Sequence, residues 1–211
     1  MTVRIRITFA KQGALRYIGH LDLHKLWESA TRRAGIGLAY SQGFHPQPKI
    51  QLASALPLGF SSRCEVADLW LDNDSATAEL ASFQTRLQAA LPAGIVVRQI
   101  AQVDERAPAL QTQVTAAEFE VTLPDEVDAD ALSLRLAALL EADSLLRERR
   151  GKTYDLRPLI ESLAFCACPA PALQMRLTAR EGATGRPEEV LAALEIPIED
   201  TRIERTKLIF A

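Results

Sequence analysis

Two histidines stand one helical turn apart near the start of a predicted helix. His20 and His24 would share one side of that helix, and Glu28 follows a further turn along. Imidazoles at positions i and i+4 can chelate a transition metal. The sequence supplies no assured third ligand, so it favours a solvated or hydrogen-bonded pair, and no metal or other cofactor is predicted. His20 is kept as a candidate binding residue.

The segment 40–49 combines a stiffened backbone with side chains suited to nucleic acid. Gly43 allows an unusual backbone angle, and the prolines at positions 46 and 48 restrict the chain around them. Single-stranded RNA is bound by stacking of its bases on aromatic rings, with cations on its phosphates. The candidates for this role are Tyr40, Phe44, His45 and Lys49. The alternative is that at least one of the two aromatic rings belongs to the core and anchors the loop.

Basic residues are concentrated in the first 60 residues, which hold eight lysines and arginines against two acidic residues. This local charge of +6 contrasts with −3 for the whole chain, and it is typical of a region with an electrostatic role. Arg16, Arg32, Arg33 and Lys49 are predicted to line a phosphate-binding face. Two alternatives remain. The basic region can pack against the acidic remainder, and an arginine at a helix C-terminus already benefits from the helix dipole.

A second basic cluster lies within the acidic half of the chain. Arg149, Arg150 and Lys152 are candidate binding residues on a predicted extended strand or hairpin, flanked by Arg147 and Arg157. The alternative is a solvated hairpin whose charges serve no ligand. If the two halves of the chain face each other, this hairpin would extend the first basic region into a groove.

Two features near this cluster are interpreted as structural. Gly182 to Gly185 form a G-x-x-G sequence that resembles a backbone clamp, but Glu188 and Glu189 occupy the first turn of the following helix. Because those acids already use the positive end of the helix, phosphate binding there is not predicted. Asp155 is expected to pair locally with the arginine two residues later.

Hydrophobic periodicity places the first set of candidates on a β-α-β-β-α-β series. Asp74 or Ser75 is expected to cap its second helix. The first helix carries one apolar stripe, formed by Leu23, Leu26, Trp27, Ala30 and Ala34. The predicted elements are strand 2–10, helix 21–34, a short strand 49–52, strand 64–71, a helix ending at 90 and strand 95–103.

The second half repeats this element order after a polar, alanine-rich and proline-containing stretch at 104–113. That stretch separates an N-terminal basic domain, residues 1–104, from a C-terminal acidic domain, residues 114–211. The fold predicted is α+β, with two tandem ferredoxin-like (βαββαβ) units. The elements of the second unit are strand 117–123, helix 128–140, an extended strand or hairpin 145–156, a helical turn 157–163, strand 173–179, helix 187–194 and strand 201–210.

Composition indicates a globular protein, with 48% hydrophobic and 24% charged residues. No apolar run approaches the roughly 20 residues needed to cross a bilayer, so no membrane association is predicted. Three cysteines are too few for a disulfide framework and fit a reducing compartment, which predicts a cytoplasmic location. Cys166 and Cys168 are expected on one face of a strand rather than in a zinc site. The sequence shows no P-loop, dinucleotide fingerprint or nucleophile elbow.

Three phrases in fixed order carry a family resemblance. They read RYIGHLDLHKLWESATRRAG, then GLAYSQGFHPQPKIQLASALPLG, then KTYDLRPLI. Together they resemble the radical-SAM-linked proteins, in which such a domain is free-standing or fused behind a B12-binding radical SAM enzyme. The resemblance covers most of residues 1–165 and implies a radical SAM enzyme as partner, but it implies no reaction. Since the chain lacks a C-x3-C-x2-C cluster motif, any radical chemistry would lie in another polypeptide.

Three functional hypotheses follow from these observations. The leading hypothesis is a non-catalytic protein that presents an RNA, such as a transfer or ribosomal RNA, to a partner radical SAM enzyme for modification. The second is a metal-independent RNA-processing endonuclease, with His20 or His45 as general base and Lys49 or Arg16 stabilising the developing charge. The third is an adaptor whose basic face binds an acidic protein surface.

Overall fold

The computed structural model describes residues 2–72, 80–149 and 151–211. The chain forms two compact units, Met1–Gln113 and Val114–Ala211. The predicted boundary stretch, 104–113, therefore falls at the end of the first unit. The predicted caps of the second helix, Asp74 and Ser75, lie outside the described residues. Within the described residues, no helix is long and apolar enough to cross a membrane.

The first unit contains four antiparallel strands and two α-helices in its described residues. The strands pair in the order β2-β3-β1-β4. Short 3-10 helices, Gly13–Tyr17 and Leu110–Gln113, precede α1 and end the unit. The elements are β1 (Val3–Lys11), α1 (His20–Arg33), β2 (Ile50–Leu52), β3 (Ser61–Leu71), α2 (Leu80–Ala90) and β4 (Ile95–Val103).

One face of this sheet forms the core against the two helices. Ile5, Ile7 and Phe9 alternate along β1 and are fully buried, as the period of two in the sequence predicts. Trp27 of α1 packs edge-on against Phe9, with ring centroids 4.8 Å apart. Phe83 of α2 is also buried in this cluster. Burial of side chains of this size stabilises the unit by about 1.5–3 kcal/mol each.

The opposite face of β1 is partly buried and carries charged side chains. Arg4 is 2% exposed, and its guanidinium donates to Asp68 at 2.6 and 2.9 Å. Arg6 donates to the same carboxylate at 2.8 Å. Arg4 further donates to the carbonyls of Ala107 and Pro108 at 2.6 and 3.0 Å. Two of the eight cations counted in the basic region are thus held by one carboxylate of β3, because charges in a sheet interior must be paired.

The second unit contains a sheet, a separate hairpin and two α-helices in its described residues. The strands pair antiparallel in the order β8-β9-β5-β11, with β10 against the end of β9. β6 and β7 pair only with each other in the described residues. The elements are β5 (Val114–Thr122), α3 (Ala129–Glu141), β6 (Leu146–Arg149), β7 (Lys152–Asp155), β8 (Ile160–Cys166), β9 (Ala172–Arg180), β10 (Ala183–Thr184), α4 (Pro187–Ala193) and β11 (Arg202–Phe210).

Two local predictions in this unit are corrected. The segment 157–163 is helical only over Arg157–Leu159, and the chain then continues directly as β8. A register shift between Ile160 and Ser162 interrupts the alternation along β8. Cys166 ends that strand, whereas Cys168 lies beyond it before a cis peptide bond to Pro169, so the two thiols do not share a strand face. The structure places no disulfide among the three cysteines, all of which lie in the described residues.

The core of the second unit is built from alternating residues of β9 and one face of α3. On β9, Leu173, Met175 and Leu177 are buried, and they alternate with more exposed polar residues. From α3, the apolar side chains at 132, 136 and 139 are buried over the sheet. Asp128 caps α3 by accepting a hydrogen bond from the N–H of Ala131 at 3.0 Å. Local signals therefore placed both the helix start and its inward face.

Candidate functional site

The loop 41–47, here called the Phe44 loop, is closed by hydrogen bonds at its base. The N–H of Ser41 donates to the carbonyl of Gln47 at 2.8 Å, and the Ser41 hydroxyl accepts the N–H of Gln47 at 3.0 Å. One step below, the N–H of Lys49 donates to the carbonyl of Ala39 at 2.8 Å. Pro48 is buried beneath the loop. The loop is therefore closed by backbone hydrogen bonds and by the Ser41 hydroxyl, and its aromatic side chains take no part in that closure.

The two aromatic side chains of this segment both face solvent. Phe44, near the tip, is fully exposed at 103% of its reference area, and Tyr40 at the base is 50% exposed. The expectation that at least one of them is a core residue is wrong, because Pro48 and Ile50 fill the space beneath the loop. His45 and Lys49 are exposed beside them. The Phe44 ring buries almost no apolar area within the unit and is accessible to a ligand.

The Phe44 loop leaves the sheet at the C-terminal end of β3. The N–H of Ala39 donates to the carbonyl of Trp70 at 2.8 Å, and the N–H of Trp70 donates to the carbonyl of Lys49 at 3.1 Å. These bonds tie both sides of the loop base to the last residues of the longest strand in the unit. The position of the loop is thus set by β3.

Arg16 lies at the other end of β3. Its guanidinium stacks on the ring of Tyr17 at 4.7 Å, and its carbonyl accepts the N–H of Gly59, two residues before β3 begins, at 2.9 Å. β3 is 11 residues long, so its ends are about 30 Å apart at roughly 3.3 Å per residue. The predicted phosphate-binding face is therefore divided, with Arg16 at one end of β3 and Lys49 at the other. The Arg16 end also exposes three apolar side chains, namely Tyr17, Leu21 and Leu58.

His20 begins α1 near the Arg16 end. His20 is exposed as a residue, but partial burial of its imidazole lowers the pKa, the neighbouring His24 lowers it further, and Glu65 acts in the opposite direction. The lowered pKa favours the neutral form of the His20 imidazole. Across residues 2–72, 80–149 and 151–211, no group of three His, Cys, Asp or Glu side chains is placed to hold a metal ion.

The two arginines that end α1 have different surroundings. The guanidinium of Arg33 donates to the carbonyl of Ala90, at the end of α2, at 2.8 and 3.3 Å. Arg32 is exposed. The split agrees with the 100° between consecutive side chains on a helix. Arg33 thus caps a neighbouring helix, and Arg32 is the one available to a ligand.

In the second unit, the predicted basic cluster divides as well. Arg149 and Lys152 line a cleft together with Gly182–Thr184 and Arg186. Arg150 lies outside the described residues. Arg186 was missed in the sequence, where a single arginine before Pro187 carries no pattern. It is the fold that places it opposite the hairpin.

The side chains of Asp155 and Arg157 bond to backbone groups around the hairpin and not to each other. The Asp155 carboxylate accepts the N–H groups of Leu145 and Arg157 at 2.7 and 2.9 Å, and these bonds lower its pKa. The Arg157 guanidinium turns away and donates to the carbonyl of Leu140, in the last turn of α3, at 2.7 and 3.2 Å. The local pairing expected between the two residues is therefore a backbone contact, and the motif latches β7 to α3.

A family model described as "Uncharacterized protein conserved in bacteria (DUF2344)" matches residues 4–187. The chain belongs to this family. The family description does not mention radical SAM enzymes. A search among curated proteins returns no match.

Three solved structures are similar to the chain over nearly its whole length. The first is an unknown protein from Galdieria sulphuraria, with 14% identity, a TM-score of 0.30 and coverage of 100% of this chain and 99% of that one. The small subunit of acetolactate synthase from Thermotoga maritima has 12% identity, a TM-score of 0.28 and coverage of 99% and 95%. A putative glycine cleavage system transcriptional repressor has 11% identity, a TM-score of 0.25 and coverage of 100% and 99%. Scores at this level carry no argument about function.

Proposed function

We propose that this protein is a non-catalytic, cytoplasmic RNA-binding protein, in which the Phe44 loop takes bases of a single-stranded RNA. The observation that carries this proposal is the full exposure of Phe44 on a loop that its own backbone closes. Because the loop backbone is closed before binding, less backbone freedom is lost when a base stacks on the ring. Stacking of this kind contributes about 1–3 kcal/mol per base.

The neighbouring side chains match the remaining needs of a single strand. Tyr40 offers a second half-exposed ring at the base of the loop, and His45 adds a third planar group. Lys49 supplies an exposed cation on the chain that leaves the loop. Aromatic rings interleaved with a cation are the composition that single-stranded nucleic acid requires.

We also propose a fold for each of the two units. Each is proposed to be ferredoxin-like, because β2-β3-β1-β4 and β8-β9-β5-β11 follow the same order of antiparallel pairing. In the second unit the hairpin β6–β7 is inserted after α3. An experimental structure with a different strand order in either unit would contradict this assignment.

The proposed partner is a radical SAM enzyme that modifies the bound RNA. Support comes from the three sequence phrases of the resemblance and from the absence of a cluster-binding cysteine triplet in the chain. Affinity capture with the full chain as bait, before and after nuclease treatment, tests this. Recovery of an iron–sulfur enzyme that depends on RNA supports the arrangement. Recovery of an acidic partner that resists nuclease instead supports the adaptor hypothesis.

The test of RNA binding uses fluorescence anisotropy of a labelled single-stranded RNA with the full chain and with Phe44→Ala. Loss of one stacked base weakens affinity by about tenfold, within the range of 1–3 kcal/mol. Leu134→Ala removes another exposed apolar side chain, in the second unit, and serves as the control. Affinity unchanged by Phe44→Ala, or lowered equally by both substitutions, would rule out the Phe44 loop as the RNA site.

A second candidate, RNA cleavage without a metal, is favoured by one observation. The lowered pKa of His20 keeps its imidazole neutral, as a general base requires. Labelled RNA incubated with the full chain in excess chelator distinguishes this function. Cleavage abolished by His20→Gln, but retained in His45→Gln, would support it. Intact RNA after long incubation would exclude it.

A further inference from the structure

A cleft of about 620 Å³ opens within the second unit. One wall is the β6–β7 hairpin, which contributes Arg149, Lys152 and Tyr154. The other wall is the turn after β9, which contributes Gly182–Thr184 and Arg186. A volume of this size matches the 300–1,000 Å³ typical of small-molecule sites. The space therefore suits a ligand of about the size of a mononucleotide.

Three cations converge on this cleft without a carboxylate partner. Among the described residues, no ion pair involves Arg149, Lys152 or Arg186. The one acid in the lining, Asp155, already accepts two backbone N–H groups in the latch to α3. Cations gathered in a concave site repel one another and attract an anion from solution. The cleft thus has a positive charge that a bound anion would neutralise.

Both walls of the cleft are held in place by contacts that do not use its three cations. The hairpin wall is fixed by Asp155 and by the Arg157 guanidinium on the Leu140 carbonyl. The turn wall packs directly on Leu159, since a Cβ on Gly185 would lie 2.8 Å from the Leu159 carbonyl oxygen. A site whose walls are fixed before binding loses less entropy on binding.

Two further groups offer donors to a ligand. The Tyr154 hydroxyl is enclosed beside Arg186 and near Glu189, and no hydrogen bond of good geometry to it is formed within the described part of the chain. Burial raises the pKa of Tyr154, so the hydroxyl keeps its proton and can donate. Gly182 adopts a φ of +77° with no atom within 4 Å of a Cβ built there, so a ligand can approach bare backbone.

We propose that this cleft binds a phosphate group carried by a nucleotide-sized ligand, with Arg149, Lys152 and Arg186 neutralising the phosphate oxygens. The tetrahedral dianion suits guanidinium groups, which donate two parallel hydrogen bonds, and the lysine adds a point charge. This site is separate from the Phe44 loop, and it does not require that the loop bind RNA. The phosphate can come from a free nucleotide or from the phosphorylated end of an RNA strand.

The experiment is isothermal titration of the full chain with a nucleoside 5′-monophosphate, the same nucleoside without phosphate, and inorganic phosphate. We expect binding of the monophosphate and at least about tenfold weaker binding of the nucleoside, because the charged hydrogen bonds are lost. The variant Arg149→Gln/Arg186→Gln is expected to weaken monophosphate binding by tenfold or more. Arg202→Gln, which removes an exposed arginine elsewhere in the unit, should leave it unchanged.

A second experiment distinguishes a free nucleotide from the phosphorylated end of an RNA strand as the source of the phosphate. RNA oligomers of one sequence, with a 5′-phosphate or a 5′-hydroxyl, are compared on wild type, Phe44→Ala and the double arginine variant. A phosphate-dependent gain that the arginine variant loses and Phe44→Ala retains assigns the site to RNA ends. Equal binding of nucleoside and nucleotide, or no phosphate-dependent binding of either source at millimolar concentration, would overturn the proposal. So would unchanged binding by an arginine variant whose circular dichroism matches wild type.

Discussion

At the scale of single residues, the lysines and arginines counted in the first 60 residues have three different surroundings. Arg4 and Arg6 are held by Asp68 within the sheet, and Arg33 caps the end of α2. Lys49 stays exposed beside the Phe44 loop. A basic side chain can in principle bind a phosphate. Whether it is available to do so depends on the carboxylate or carbonyl that lies nearest to it in the fold.

Asp68 is expected to be the most sensitive charged residue of the first unit. It is fully buried and is the carboxylate on which two arginines depend. Asp68→Asn leaves the buried Arg4 guanidinium without an anion, and loss of one partner of a buried pair costs about 3–5 kcal/mol. Urea unfolding followed by circular dichroism measures this change. Asp125→Asn, at an exposed position, is the control, and an equal effect from both would refute the buried-pair interpretation.

His20 is expected to make stability depend on pH. Since its pKa in the folded protein is lowered from 6.5, the unfolded chain binds the proton more readily. The free energy of unfolding should fall as pH drops through 6.5, and it should level off below the folded pKa. His20→Gln should remove this component between pH 7.5 and pH 5, as measured by urea titrations. His45→Gln, which alters an exposed imidazole, is the comparison, and the same pH profile in wild type and His20→Gln would contradict the prediction.

At the scale of elements, short connections carry the candidate sites and regular elements hold them. β3 positions the Phe44 loop at one end and the Arg16 region at the other. α3 holds the β6–β7 hairpin through Arg157. The apolar stripes of α1 and α3 were predictable from their period of 3.6 residues. The start of β8 was predicted as a helical turn because a register shift between Ile160 and Ser162 interrupts the alternation of the strand.

The latch between Arg157 and α3 has a measurable consequence. Arg157→Ala removes a charged hydrogen bond to the carbonyl of Leu140, which is worth about 1.5–3 kcal/mol. Amide hydrogen exchange in residues 145–157 should become at least about tenfold faster. Arg147→Ala removes an arginine of the same hairpin whose guanidinium reaches only the adjacent Leu146 carbonyl, so it should leave exchange unchanged. Equal rates in the two variants would show that Arg157 does not hold the hairpin.

At the scale of the whole molecule, the +6 charge of the first 60 residues overstates the field available to RNA. Arg4, Arg6 and Arg33 are committed to internal contacts, and Arg16 lies about 30 Å from the Phe44 loop by the length of β3. Binding should then rest on stacking, with a small number of phosphate contacts.

The salt dependence of RNA affinity tests this directly. Each phosphate contact to a single strand contributes a slope of about −0.7 in log K against log salt concentration. With two or three contacts, the slope should be about −2 between 50 and 200 mM salt, as measured by anisotropy. Lys49→Ala should reduce it by about one contact, and Lys207→Ala, an exposed lysine of the second unit, should not. A slope near −4 would mean that the buried arginines are available after all.

The sequence by itself determined the α+β class, the order of most elements, the inward faces of the helices and the segment that bears the Phe44 loop. These properties depend on residues that are close in sequence, so the spacing of apolar and polar residues is enough to predict them. Only the tertiary structure decided which charges are buried, because Arg4 and Asp68 are 64 residues apart along the chain. It also separated Arg16 from Phe44 and brought Arg186 opposite Arg149 and Lys152. Contacts between distant residues form when strands pair, and no local pattern of residue types encodes which side chains will then meet.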